Sequence, residues 1–276
     1  VSNKPNILVF DSGAGGLSIA QEILALYPDS NLIYAVDNAM FPYGLMDDDH
    51  LIQRIIAVIG KLLSQFNPDI AVIACNTAST IALDQLRTTF DTIFVGVVPA
   101  IKPAVESSNS GVIGLLATPA TVNRQYTDTL VREFAPNCDI IRLGSSKLVG
   151  YAEAYILGED VNSADLELEL SPLISQAKGK SMDTIVLACT HFPLLKKCFQ
   201  KIKSLETIHW VDSGNAIARR VGFHIDKLTL SSHHSAQSSR IVFAYTDPFT
   251  QTKTKSAYQL FLDRDNLYQT EHTAIF

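Results

Sequence analysis

The amino-acid sequence predicts an α/β protein of two pseudo-symmetric halves, each a parallel sheet of βαβ units, facing each other across an active-site cleft. Short apolar runs alternate with longer amphipathic stretches, the pattern of strands joined by right-handed crossover helices. One motif occurs twice: Asp69-Ile-Ala-Val-Ile-Ala-Cys75-Asn-Thr77 lays over Asp183-Thr-Ile-Val-Leu-Ala-Cys189-Thr-His191. In each half the motif is the third strand of its series, and a cysteine stands where the strand ends and a helix follows.

The elements follow in order. Residues 6–10 (NILVF) read as a buried strand, 17–27 as a helix and 31–36 as a second strand. Leu51, Ile55, Ile56, Ile59, Leu62, Leu63 and Phe66 trace one face of a helix over 49–66. A third strand over 69–74, a helix over 79–90 and a strand over 93–97 complete the first series. The pattern then restarts with a strand at 111–117, a helix at 121–134 and a strand at 138–143. Helices over 147–158 and 161–178 follow, the second with Ser163 as an N-cap. A strand at 184–188, a helix at 194–202, a strand at 208–211 and a helix from 213 to 221 come next. The remainder reads as irregular apart from a strand at 241–245. The expected domains are residues 1–98 with 211–276, carrying Cys75, and residues 99–210, carrying Cys189.

A chain of 276 residues can form one large domain or two of about 100–150 residues each. A net charge of −6 without any Lys/Arg cluster excludes a nucleic-acid partner, because phosphate binding needs clustered cations. No apolar run approaches 18 residues, so no membrane span is expected. The start of the sequence shows no basic-then-apolar leader pattern, and none of the four cysteines forms a CxxC pair. The expected location is therefore cytoplasmic and reduced, with thiols available for chemistry.

Parallel sheets bind ligands beyond the carboxyl ends of their strands. Asp11, Asp37, Cys75, Thr118 and Cys189 all sit at such ends, and facing sheets would place the two cysteines on opposite walls of one cleft. A single buried cysteine commonly acts as a small hydrophobe. Two at matched exits, each before a helix whose dipole favours a thiolate, point to chemistry. Cys138 and Cys198 lack that setting and read as structural.

The loop Asp11-Ser12-Gly13-Ala14-Gly15-Gly16 resembles a dinucleotide fingerprint but has Ser18 where GxGxxG needs its last glycine. Its backbone N–H groups at a helix start suit a small carboxylate instead. His191 is a candidate acid/base that would lower the pKa of its neighbour Cys189. Glu153, in LVGYAEAY, reads from spacing alone as an exposed helix position. Asn76, Thr77, Thr118, Thr121 and Thr190 offer neutral hydrogen-bonding groups suited to a zwitterion, while Pro42-Tyr43-Gly44 reads as a turn. Asp47-Asp48-Asp49 is an acidic helix start. His233 and His234 lack further ligands at metal-binding spacing, so no metal site is expected.

Inverting a stereocentre by proton transfer needs a base on one face of the carbon and a conjugate acid on the other, which a thiol on each wall supplies. Redox exchange would show CxxC, and zinc would need further ligands. At these residues the chain resembles the glutamate racemases of the cofactor-independent aspartate/glutamate racemase superfamily. The likeness runs from Asn6 to about Arg220 through FDSGAGGLS, DNAMFPYG, ACNTAST, GVVPAIKPA, GLLATPAT, LACTHFPLL and DSGNAIARR.

The resemblance implies a pair of α/β domains with glutamate between them and no cofactor. It implies that Cys75 takes the α-proton of D-glutamate, assisted by Asp11, and that Cys189 takes that of L-glutamate, assisted by His191 with Glu153. Asp11, Ser12, Tyr43, Gly44, Asn76, Thr77, Thr118, Thr121, Thr190 and His191 would contact the substrate. It further implies a role in supplying D-glutamate for peptidoglycan, a muramoyl nucleotide as a candidate regulator, and allows a homodimer. The chain departs from the family pattern at Ala188, where many relatives have glycine, in GLLAT, which lacks a common threonine, and at Gly150, in place of proline near Glu153. Aspartate, a hydantoin or maleate remain alternative substrates of the same cysteine pair. A non-enzymatic binding protein on a duplicated fold would need no such pair.

Overall fold

The apolar runs become strands buried on both faces, as helices on either side of a parallel sheet require. The computed structural model describes residues 4–176, 181–228, 239–247 and 252–276. The chain divides into two units, Val1–Val97 with Gly214–Phe276, and Val98–Ser213. His233 and His234 lie outside the described residues.

The first unit begins β1 (Asn6–Asp11), α1 (Leu17–Leu26), β2 (Asn31–Val36), α2 (Asp48–Phe66), β3 (Ile70–Ile73), α3 (Asn76–Thr89) and β4 (Ile93–Gly96). The second unit runs α4 (Ile101–Ser107), β5 (Val112–Ala117), α5 (Pro119–Val122), α6 (Gln125–Phe134), β6 (Asp139–Gly144), α7 (Lys147–Ile156), α8 (Ser163–Gln176), β7 (Thr184–Leu187), α9 (Lys196–Phe199) and β8 (His209–Val211). The chain then returns to the first unit with α10 (Gly214–Ile225), β9 (Arg240–Tyr245), α11 (Thr252–Leu262) and β10 (Gln269–Ala274).

Both sheets are parallel throughout. Their orders are β10-β9-β2-β1-β3-β4 and β6-β5-β7-β8. Strands β2-β1-β3-β4 of the first sheet therefore repeat the order β6-β5-β7-β8 of the second. Register makes the repeat residue-specific. Phe10 pairs with Ile73 as Leu116 pairs with Leu187, and the Ala74 and Ala188 N–H groups donate to the carbonyls of Phe10 and Leu116. Cys75 thus matches Cys189, Ser12 matches Thr118, and Asp11 matches Ala117.

The aspartate shared by the two motifs lies at the opposite end of its strand from the cysteine. Asp69 accepts the Asn6 N–H at 2.7 Å. Asp183 accepts the Ser108 hydroxyl at 2.6 Å and the Asn109 and Ser110 N–H groups at 2.8 Å each. Burial pushes the Asp183 carboxyl up, but these hydrogen bonds outweigh it and hold the pKa at about 2. Such a depressed carboxyl contributes stability above its unfolded value and loses it as pH falls through the folded one. Asp183→Asn is expected to lower stability at pH 7 by roughly 1–3 kcal/mol. The gap from the parent should shrink as pH falls from 3.8 towards about 2. Urea melts of both proteins at pH 7 and pH 3 measure this; equal stability at pH 7 would remove the stapling role.

Several expectations are corrected. The helix expected over 121–134 is two, because Arg124 is extended and starts α6 afresh. The Thr118 hydroxyl caps the short α5 by accepting the Thr121 N–H at 3.3 Å. Ser163 is the first residue of α8 rather than its cap; Asn162 Oδ1 accepts the Ala164 N–H instead, at 2.9 Å. The helix expected over 194–202 is a 3-10 turn, Phe192–Leu195, followed by the single-turn α9. The segment after residue 223 is not irregular beyond one strand: α11 follows β9, and β10 adds an edge strand to the first sheet. Their sequences hid this, since β10 (QTEHTA) is a polar edge strand and α11 buries only Tyr258 and Leu262.

Candidate active site

In the first unit, Asp11 and Cys75 leave the adjacent strands β1 and β3. Cys75 is extended at the N-cap of α3, only 7% exposed, and its carbonyl accepts the Ser79 N–H at 2.9 Å. α3 therefore starts at Asn76, three residues earlier than the sequence pattern placed it, and its full macrodipole bears on Cys75. The Ser79 hydroxyl donates to the Ile73 carbonyl at 2.7 Å and accepts the Val97 N–H at 3.0 Å, tying the exits of β3 and β4 together.

Asp11 is fully buried. Its Oδ1 accepts the Ser12 N–H at 2.6 Å and the Gly13 N–H at 3.3 Å. Two of the N–H groups that the sequence offered to a ligand carboxylate are therefore directed at Asp11 itself. Helix and strands approach closely at Gly16: a Cβ there would lie 2.9 Å from Asp11 Cβ and 3.2 Å from Ala74 Cβ. Asn76 and Thr77 are buried in the first turn of α3, and the Asn76 amide oxygen has no hydrogen-bond partner among the described residues. Tyr43 packs with Phe10 and Cys75 in one buried cluster, while Gly44, its neighbour, is partly exposed.

In the second unit, Cys189 follows β7 and is 6% exposed. Only short helical pieces succeed it, so the dipole expected from a following helix is largely missing, as Pro193 opens a 3-10 turn. Its environment comes from side chains. His191 is buried, with Nδ1 3.9 Å from Cys189 Sγ and Nε2 2.8 Å from Glu153 Oε1. Burial alone would lower the His191 pKa, but the hydrogen bonds to Cys189 and Glu153 outweigh it and raise it well above 6.5.

Glu153 projects from α7 with its side chain 22% exposed, so it is not the exposed position that spacing alone suggested. Apart from Gly150's own stretch of α7, no atom of the described residues lies within 4 Å of where a Cβ at Gly150 would sit. Thr118 and Thr121 share a 3.1 Å hydroxyl hydrogen bond, and Thr190 is buried beside Cys189. The two thiol settings differ: Cys75 stands at a helix start with Asp11 at the exit of the adjacent strand, and Cys189 stands beside an imidazole–carboxylate pair.

A family model for Asp/Glu/hydantoin racemases matches residues 15–221. The chain belongs to the Asp/Glu/hydantoin racemase family. It is 46% identical over 250 residues to the glutamate racemase of Vibrio vulnificus, covering 91% of each chain. It is also 46% identical over 215 residues to that of Brucella anthropi, covering 78% of this chain and 77% of the other. Among solved structures it resembles Escherichia coli glutamate racemase in complex with L-glutamate and the activator UDP-MurNAc-Ala. The TM-score is 0.85 at 40% identity, with 98% of each chain covered.

For a member of this racemase family, the sequence left one group unexplained. Asp37, at the exit of β2, is fully buried and ion-paired to Arg54 at 2.7 Å. It also accepts the hydroxyls of Tyr43 and Thr246 at 2.6 and 2.7 Å. A buried acid at a strand exit was the only signal available, since Arg54 and Thr246 stand 17 and 209 residues away along the chain. Cys198 is buried on α9, where burial raises its thiol pKa, and Cys138 is partly exposed. No disulfide joins the four cysteines, and no helix among the described residues is long and apolar enough to cross a membrane.

Proposed function

We propose that this protein interconverts L- and D-glutamate by a cofactor-independent two-base mechanism, with Cys75 and Cys189 as the bases. One observation carries it: a cysteine stands at the same register position, after the third strand, of the four-strand order that the two sheets share. In one direction the Cys75 thiolate takes the α-proton of D-glutamate, leaving a Cys75 thiol and a carbanion. The Cys189 thiol returns a proton to the opposite face, giving L-glutamate and a Cys189 thiolate. The reverse direction exchanges the two roles.

Asp11 serves Cys75, while His191, held by Glu153, serves Cys189. Hydrogen-bonding groups of Ser12, Tyr43, Gly44, Asn76, Thr77, Thr118, Thr121 and Thr190 bind the carboxylates and ammonium. The unpartnered Asn76 oxygen is an acceptor suited to the ammonium. Stabilising a carbanion next to a carboxylate depends on such oriented groups and on exclusion of water. The product serves peptidoglycan synthesis, which places the protein in the cytoplasm. UDP-MurNAc-Ala, the activator in the E. coli structure, is the candidate regulator.

Purified protein incubated with L-glutamate in D₂O should yield D-glutamate deuterated at Cα without added cofactor. L-Aspartate, run in parallel, should react far more slowly. Faster conversion of aspartate, or absence of Cα label in the D-glutamate formed, would overturn the proposal.

A further inference from the structure

The carboxylate of Asp37 is saturated. Oδ1 accepts Arg54 Nη2 and the Thr246 hydroxyl, each at 2.7 Å, while Oδ2 accepts Arg54 Nε at 3.0 Å and the Tyr43 hydroxyl at 2.6 Å. With two oxygens and four donors it has little capacity left to bind a substrate. What it does hold is the segment that follows β2. Thr246 Oγ1 accepts the Ala39 N–H at 3.1 Å, and Asn38 Oδ1 accepts the Asp247 N–H at 2.9 Å. Residues 38–43 are thus fastened at one end to the exit of β9 and at the other to Asp37 through Tyr43. Tyr43 lies in the same buried cluster as Cys75 and interacts with it electrostatically. Its hydroxyl is kept protonated by burial and by the adjacent Asp37, so it is held as a donor to Asp37.

We infer that Asp37 is a positioning residue for the Cys75 half of the reaction: it fixes the Tyr43 ring and the Tyr43–Gly44 backbone against Cys75. This rests on Cys75 being one of the two bases. The alternative is a buried ion pair whose only effect is on folding, which removal of one partner would expose as lost stability. The two are separated by where the barrier falls. Displacing Tyr43 by a fraction of an ångström should slow proton transfer at Cys75 and leave transfer at Cys189 untouched.

The test compares Asp37→Asn and Tyr43→Phe with the parent, using each glutamate enantiomer deuterated at Cα. Tyr43→Phe removes one hydroxyl and leaves the Asp37–Arg54 pair in place, so it serves if Asp37→Asn does not fold. kcat/KM should fall about 10–100-fold. The fall should be equal in both directions, because the equilibrium constant of a racemisation is one. The isotope effect on kcat/KM should rise for the enantiomer whose proton Cys75 takes and fall for its mirror image. That enantiomer is identified separately, as the one whose α-proton Cys189→Ser still exchanges with solvent. Asp37→Asn/Tyr43→Phe should be no slower than the slower single variant, as for two residues acting through one contact. Lower melting temperatures with the parent's pair of isotope effects would overturn the positioning role. Full activity of Cys75→Ser would instead overturn the two-base reading on which it rests.

Discussion

Cys189→Ser is expected to abolish interconversion of the glutamate enantiomers, by at least about 10³-fold, while leaving exchange of one enantiomer's α-proton with solvent. With Cys75 intact, D-glutamate can still be deprotonated and reprotonated on the same face, so its Cα proton should wash out into D₂O without inversion. Cys75→Ser should show the mirror image, with exchange confined to L-glutamate. Serine keeps the size and polarity of the side chain but is a far weaker acid, so its alkoxide is not available near neutral pH. NMR of each enantiomer in D₂O reads both quantities at once. Racemisation at the parent rate in either variant would remove the two-base mechanism. Exchange confined to the opposite enantiomer would reverse which cysteine serves which face.

Glu153→Gln is expected to have the next largest effect, about 10²-fold on kcat/KM, because it removes the anion 2.8 Å from His191 Nε2. With that anion gone, burial favours the neutral imidazole, and the His191 pKa should fall towards 6.5. Titration of the His191 ring by NMR measures the shift. Stability should change with a defined sign. A histidine whose folded pKa is raised contributes stability that is fully present below its unfolded value and is lost as pH rises through the folded one. The parent's advantage over Glu153→Gln should therefore be largest below pH 6.5 and shrink in alkaline solution. An unchanged His191 titration would show that Glu153 does not hold the imidazole.

The sequence carried the thiols and their strands well because both signals are local. A buried parallel strand is a continuous apolar run, and a cysteine directly after it needs no distant information to be placed. The repeated aspartate was visible in the same way, but its meaning was not. Only the fold shows Asp69 and Asp183 stapling the far end of each strand, away from the cysteines. Helix starts were less legible. α3 begins at Asn76 because Cys75 is extended and accepts from Ser79, a cap made by backbone geometry. At Cys189 the same exit leads only to a 3-10 turn, so equal motifs gained unequal dipoles.

By itself the sequence determined the α/β alternation, the duplicated strand–cysteine unit and the proton-transfer chemistry those thiols invite. Tertiary structure decided which other groups meet them. Glu153 reads as an ordinary helix position until α7 carries it to His191, 38 residues away in the chain. Asp37 gains Thr246 only because β9 pairs with β2, bringing the exits of these two strands side by side. Gly16 is confined by Asp11 and Ala74, neighbours supplied by two different strands. The physical reason is common to all three. A strand or helix announces itself through the period of its own side chains, whereas a hydrogen bond between distant segments leaves no periodic trace and exists only once the sheet has set their register.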